Sequence, residues 1–213
     1  MATNFPQKLY EIVEFLQQQN LTLSINSRDG RVNSAFNEDE IFNLLCRNFV
    51  INRQNMRDWF DFSFEENGDF YPVNIKITKL STDNLNCKLG IYYAFTGKIP
   101  HFDNEISWLK FFQAIRANAE QNSRDYYFLV INKNDTRDIF ATSLKSLNVL
   151  TPNGNNLPFQ ANWAKNKILQ NRNFTEAKDF ILGAMAKSFA LRARIYNKFL
   201  EYFPEFRINN DKA

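Results

Sequence analysis

The chain has 213 residues, 44% of them hydrophobic and 23% charged, with a net charge of +3 that permits an anionic partner without requiring one. A single histidine leaves too few imidazoles for a zinc hydrolase, a Ser-His-Asp triad or a histidine-based nuclease, so acid–base work would fall to carboxylates, lysine and a bound metal. No apolar run approaches the roughly 20 residues of a membrane helix, the first residues do not read as a signal peptide, and Cys46 and Cys87 read as free thiols; a cytoplasmic protein with no membrane partner is expected.

In chain order, Leu9, Ile12, Val13 and Leu16 fall at i, i+3, i+4, i+7 and predict a helix over 7–19. A short strand is expected from Leu21 to Ile25 and a turn at Asp29-Gly30. Asn37 reads as the cap of a helix over 38–49, with Glu38, Asp39 and Glu40 in its first turn. A hairpin is predicted over about 59–80, and Leu89 to Phe95 reads as a strand. His101 reads as a loop residue. Asn104 is placed as the cap of a helix to about 121, with Ile106, Leu109, Phe112 and Ile115 turned inward. Tyr126 to Ile131 is continuously apolar, as a strand buried on both faces would be. One or two strands are expected between Asp138 and Leu150, then a loop from Thr151 to Pro158, and a long helix over 175–202 that stops before Pro204. Strands interleaved with helices predict an α/β (α+β) fold, one domain over 1–213 built on a central mixed sheet flanked by helices.

The hairpin concentrates the chemistry. Asp61 opens its first strand, and Asn74 and Lys76 stand two residues apart on the second, so they share a face while Val73, Ile75 and Ile77 point the other way. Phosphodiester hydrolysis needs charge neutralisation around phosphorus and an activated water, which Mg²⁺ supplies. Mg²⁺ takes oxygen ligands. The Asp61 carboxylate, the Asn74 amide oxygen and the Ile75 carbonyl offer three, with Lys76 beside them to stabilise transition-state charge. The chain holds twenty-nine asparagines, so an isolated Asn means little. Asn74 stands out because apolar neighbours flank it and Lys76, and an acid lies one hairpin turn upstream.

The run from Trp59 to Thr78 resembles the active-site hairpin of type II restriction endonucleases of the PD-(D/E)XK superfamily, most closely the branch containing HincII and EcoRV. In that pattern an Asp opens one strand, and a second acid and a Lys sit on the next; Asp61, Asn74 and Lys76 match the three places. Gln160-Ala161-Asn162-Trp163-Ala164 is similar to a strand that such enzymes set against DNA. The resemblance implies a restriction-endonuclease-like core and Mg²⁺-dependent, sequence-specific cleavage of double-stranded DNA at a short palindromic site. It further implies 5′-phosphate ends, a homodimer, and a place in a bacterial restriction–modification system. The chain departs from the pattern at Phe60, where a proline is usual, and at Asn74, where an acid is usual. Glu40 is the expected compensating carboxylate, sent from the helix before the hairpin, and Asp58 competes with Asp61 for the first metal position. Expected DNA contacts lie around 81–103 and 135–174: Lys79, Lys88, Tyr93 and Thr96 after the catalytic strand, and Gln160, Asn162, Lys165 and Arg172 near the Asn-Trp-Ala match. Two rival expectations remain, a DNA-binding protein on the same fold that has lost cleavage through Asn74, and a non-enzymatic interaction domain.

Overall fold

The computed structural model describes residues 5–19, 21, 30–53, 59–102 and 106–207, with backbone alone at 30–36 and 206. Two helices, α1 (Gln7–Gln18) and α2 (Gly30–Asn48), lead into a short β1 (Asn52–Arg53) and the hairpin β2 (Phe62–Glu66) and β3 (Asp69–Thr78). Then come β4 (Thr82–Leu85), α3 (Lys88–Thr96) and α4 (Trp108–Asn118), followed by β5 (Tyr127–Asn132) and β6 (Ile139–Ser143). Short strands β7 (Leu150–Thr151) and β8 (Phe159–Asn162) precede the long α5 (Phe174–Tyr202). The fold is mixed α/β. A five-stranded sheet runs in the order β1-β2-β3-β5-β6, and a second sheet runs β4-β8-β7. β3 and β5 pair in parallel, which requires the crossover through β4, α3 and α4; the other pairs are antiparallel. Among the described residues, no helix is long and apolar enough to cross a membrane.

The central sheet buries both faces, and β5 shows why its sequence is apolar throughout. Tyr127, Leu129 and Ile131 face α1 and α2, meeting Leu9, Ile12 and Leu16 together with Ile41 and Leu45. Tyr126, Phe128 and Val130 face the other way, into a core completed by Ile91 and Phe95 of α3, Phe111 of α4 and Ile181 of α5. β3 follows the same alternation: Val73 and Ile75 join the α1/α2 core, so Asn74 and Lys76 turn to the α3 side, level with Phe128 and Val130 of β5.

The sequence-based boundaries of α1, the hairpin, β5 and α5 agree with the structure to within about three residues. α5 also carries a capping box, with the Asn173 side chain accepting the Glu176 N–H and Glu176 returning the bond. Four expectations need correction. α2 begins at Gly30, so Asn37 is a buried mid-helix residue and not a cap. Residues 89–95 form helix α3; every residue from Gly90 to Thr96 is buried, which erases the amphipathic period and leaves a run that resembles a strand. α4 is capped by Ser107, whose hydroxyl accepts the Lys110 N–H; it buries Phe111 and Ile115 and leaves Leu109 and Phe112 exposed. Phe112 instead meets the Trp108 and Phe189 rings at the rim of the core. Thr151, placed in a loop, ends β7. The expected strand at 21–25, the turn at Asp29-Gly30 and the Asn104 cap lie wholly or partly outside the described residues.

Gly90 marks the tightest contact between α3 and the sheet: a β-carbon there would lie 2.6 Å from the Tyr126 ring. That ring cannot yield easily, because its hydroxyl donates to the Trp59 carbonyl at 2.6 Å. Gly90→Ala is therefore expected to destabilise the fold by about 1–3 kcal/mol through overpacking. Thermal unfolding checks this, and an unchanged midpoint would contradict the packing described.

Candidate active site

The hairpin turn sets the geometry of the site. Asn67 and Gly68 both take positive φ, 54° and 79°, between the paired residues Glu66 and Asp69, as a two-residue type I′ turn requires. That turn fixes the register at Phe62 opposite Val73, which brings Asp61 alongside the second half of β3. The Asp61 N–H donates to the Val73 carbonyl at 2.9 Å, and the Ile75 N–H donates to the Asp61 carboxylate at 2.5 Å. The carboxylate thus continues the ladder where β2 peels away. The Ile75 carbonyl lies on the same edge of β3 as its N–H.

Asn74 and Lys76 line a cleft of about 300 Å³ between β3 and the start of α3, walled also by Trp59, Asn86, Cys87 and Tyr126. The Asn74 Oδ1 is buried, with no hydrogen-bond partner among the described residues. Such an orphaned acceptor is costly unless something donates or coordinates to it. Lys76 is half-buried, and its positive charge is felt by three titratable groups, Glu38, Asp61 and Cys87.

Those three groups report the character of the site. Burial raises the Asp61 carboxyl above its ordinary value, while the Ile75 N–H and the Lys76 ammonium pull it down. The Glu38 carboxyl is pushed up to about 7, first by loss of hydration and then by the Asp61 charge, with Lys76 opposing them in part and Asp39 adding a smaller push. The Cys87 thiol is pushed up to about 12 by burial against the pull of Lys76, which favours its neutral form. Side chains from α2, the residue before β2, and β3 therefore share one electrostatic neighbourhood: two carboxylates, a lysine and a dehydrated amide.

The helix carboxylate in this neighbourhood is Glu38, where Glu40 was expected. Two residues along a helix turn through about 200°, so the two side chains leave opposite faces. Glu38 falls on the stripe of Ile41, Phe42 and Leu45, whereas Glu40 is exposed. The cue was present as the i, i+3, i+4, i+7 spacing, and placing the helix start at Asn37 hid it. Asp39 pairs with Arg53 at 2.5 Å, and Asp58 lies outside the described residues.

The residues expected to contact DNA separate into two groups. Tyr93 and Thr96 are buried: the Tyr93 hydroxyl donates to the Phe70 carbonyl, and the Thr96 hydroxyl donates to the Tyr92 carbonyl, so neither faces a phosphate. Arg172 is likewise committed, donating to the Leu147 carbonyl at 2.6 Å and lying 3.9 Å from the centre of the Phe180 ring. Lys88 lines the cleft, but its ammonium donates to the Ile106 carbonyl at 2.6 Å and sits over Trp108. Lys79 and Lys165 are exposed. Gln160 and Asn162 stand on β8 and donate across to Asn84 and Thr82 of β4, forming a row of polar side chains on the small sheet. Trp163, between them and the next turn, is fully buried against Phe128.

Among the described residues no three of His, Cys, Asp and Glu gather to hold a metal; the oxygen set here is two carboxylates and an amide. No known protein family matches the chain, and no curated protein matches it either.

The raised Glu38 carboxyl has a testable consequence for the metal-free protein. Its folded value of about 7 exceeds the ordinary 4.5, so folding takes up a proton between those values and stability falls as pH rises through that window. Glu38→Gln is expected to remove this slope. At pH 8 it should stabilise the chain by on the order of 1–2 kcal/mol, a figure reduced for the carboxyl's partial exposure. Urea midpoints at pH 5 and pH 8 with a chelator present measure it, and equal slopes in both proteins would contradict the assignment.

Proposed function

We propose that the chain is a Mg²⁺-dependent endonuclease of the type II restriction kind, cutting double-stranded DNA at a short palindromic sequence and leaving 5′-phosphate ends. The observation that carries this reading is the bond from the Ile75 N–H to the Asp61 carboxylate, between Asn74 and Lys76, which line one cleft, with the Asn74 Oδ1 buried and unpartnered among the described residues. These residues fit the metal: Asp61, Asn74 and the Ile75 carbonyl are hard oxygen donors and would hold it, and Glu38 offers a further carboxyl in the same electrostatic neighbourhood. When bound, Mg²⁺ neutralises charge on the phosphate and lowers the pKa of water. The Lys76 ammonium stabilises the negative charge that builds on the phosphate oxygens. Trp59 and Tyr126 wall the cleft. The row of Asn84, Gln160 and Asn162 presents amides of the kind that read adenine edges, with exposed Lys79 and Lys165 for phosphates. A homodimer would place one site on each strand of a palindrome.

A second reading has one observation in its favour, the neutral amide at position 74. A protein with too weak a metal site would bind DNA and leave it whole. Incubating the full chain with plasmid DNA, with and without Mg²⁺, separates the two. Discrete fragments only with Mg²⁺ support the nuclease, retarded intact DNA supports the binder, and neither cutting nor retardation at low salt overturns both. Asn74→Asp restores a charge and is expected to lower the Mg²⁺ concentration at half-maximal binding by up to about 10-fold. Calorimetric titration checks it, and weaker binding by the variant would contradict a metal role for this position.

A further inference from the structure

The distal half of α5 carries a stripe of exposed apolar side chains. Leu191, Ile195, Phe199 and Tyr202 follow one another at intervals of four, four and three residues, on one face of the helix, and Phe203 extends the stripe. Ile195 is 54% exposed and Tyr202 71%. Given the area of such side chains, the five leave on the order of 500 Å² of apolar surface open, as much as the largest patch on an ordinary monomer. It also equals the apolar share of the roughly 800 Å² that each partner contributes to a standard dimer.

We propose that this face binds a second copy of the chain, the two α5 helices packing antiparallel about a twofold axis near residue 197. A twofold interface must be complementary to itself, so that what residue i offers residue j must accept, and the reverse. Three features of α5 meet that condition about one centre. The stripe runs from Leu191 to Phe203, which are equidistant from residue 197. Arg194 and Glu201 lie two turns apart on one flank of the stripe, and a centre within about half a residue of 197 sets each Arg194 opposite Glu201 of the other copy, where Glu201, paired with Lys198 of its own helix at 2.5 Å, would take a second cation. A groove of about 510 Å³ lies between residues 152–155 and Leu191, Arg194, Ile195 and Lys198. The twofold carries Tyr202, the most exposed side chain of the stripe, to the level of that groove. The groove wall is firmly held, because the Arg192 guanidinium donates to the Gly154 and Asn155 carbonyls at 2.7 and 2.8 Å. A β-carbon at Gly154 would meet the Arg192 backbone nitrogen at 2.8 Å.

This inference does not rest on the nuclease reading, and its test measures mass and not cleavage. Sedimentation equilibrium of the full chain up to about 100 µM is expected to give twice the 25.1 kDa of one chain. Ile195→Glu with Tyr202→Glu should raise the dissociation constant by about 100-fold or more, since each change counts twice across the twofold, with an unchanged circular dichroism spectrum. Arg194→Glu alone should weaken the dimer by roughly 10-fold, and adding Glu201→Arg should restore it, which no cover by another segment or an unrelated partner would reproduce. A monomer at every concentration, a dimer indifferent to the Ile195 and Tyr202 changes, or a charge swap that fails to restore association would each overturn the proposal.

Discussion

Asp61→Asn is expected to slow DNA cleavage by roughly 10³-fold or more, the rate equivalent of several kcal/mol of lost metal-centred stabilisation. The substitution is informative because it separates charge from structure. The Asp61 carboxylate accepts the Ile75 N–H, and an amide oxygen can accept the same bond, so the hairpin and its register persist. What disappears is the negative charge beside Asn74. With Asn at 74 already neutral, the site then retains Glu38 as its single described acid. The carboxylate sits where burial raises its pKa, so the variant should fold at least as stably as the parent. Cleavage of plasmid DNA, together with thermal unfolding, decides the matter. A stable variant that cuts within about 10-fold of the parent would remove Asp61 from the proposed metal site.

Lys76→Ala is expected to reduce cleavage by about 10²–10³-fold while leaving DNA retention measurable. The ammonium stands on the cleft-facing side of β3 and is half-exposed, so truncating it removes little packing. Its loss also removes the positive charge that holds down the Glu38 and Asp61 carboxyls, so both should titrate higher still. Lys76→Arg should not restore full cutting, because a planar guanidinium replaces a compact point charge in a confined cleft. A gel-shift titration beside the cleavage assay distinguishes lost chemistry from lost binding. Unchanged cutting by the alanine variant would refute the role assigned to this lysine.

The parts of the site that could be read from the sequence are those governed by local rules. Asn67-Gly68 specifies a tight turn, alternation specifies which side chains share a face, and those two facts place Asn74 and Lys76 together with Asp61 nearby. Glu38 depended on a helix boundary. With the helix started at Asn37, all three acids became first-turn residues, whereas a helix that already runs through residues 30–37 makes Glu38 part of the stripe with Ile41, Phe42 and Leu45. α3 was misread for the opposite reason. Its residues are buried on nearly every side by α4 and the sheet, so no polar face marks the period, and the assignments of Tyr93 and Thr96 to a DNA surface failed with it. Arg172 illustrates a limit of composition: a cation beside a recognition-like motif reads as a phosphate contact until the carbonyl of Leu147 and the ring of Phe180 are seen to occupy it. The second sheet was visible only as scattered short runs, because β4 and β8 pair across nearly eighty residues and neither is long enough to declare itself.

Asp61, Asn74, Ile75 and Lys76, with Glu38 beside them, form the proposed cation-binding point. Titrating the isotopically labelled full chain with Mn²⁺ and following its amide resonances tests that directly, since the paramagnetic ion broadens signals according to distance. Selective broadening at residues 38, 61 and 74–76, reversed by excess Mg²⁺ and lost in Asp61→Asn, is the predicted result. Broadening centred elsewhere, or none at these positions, would contradict it.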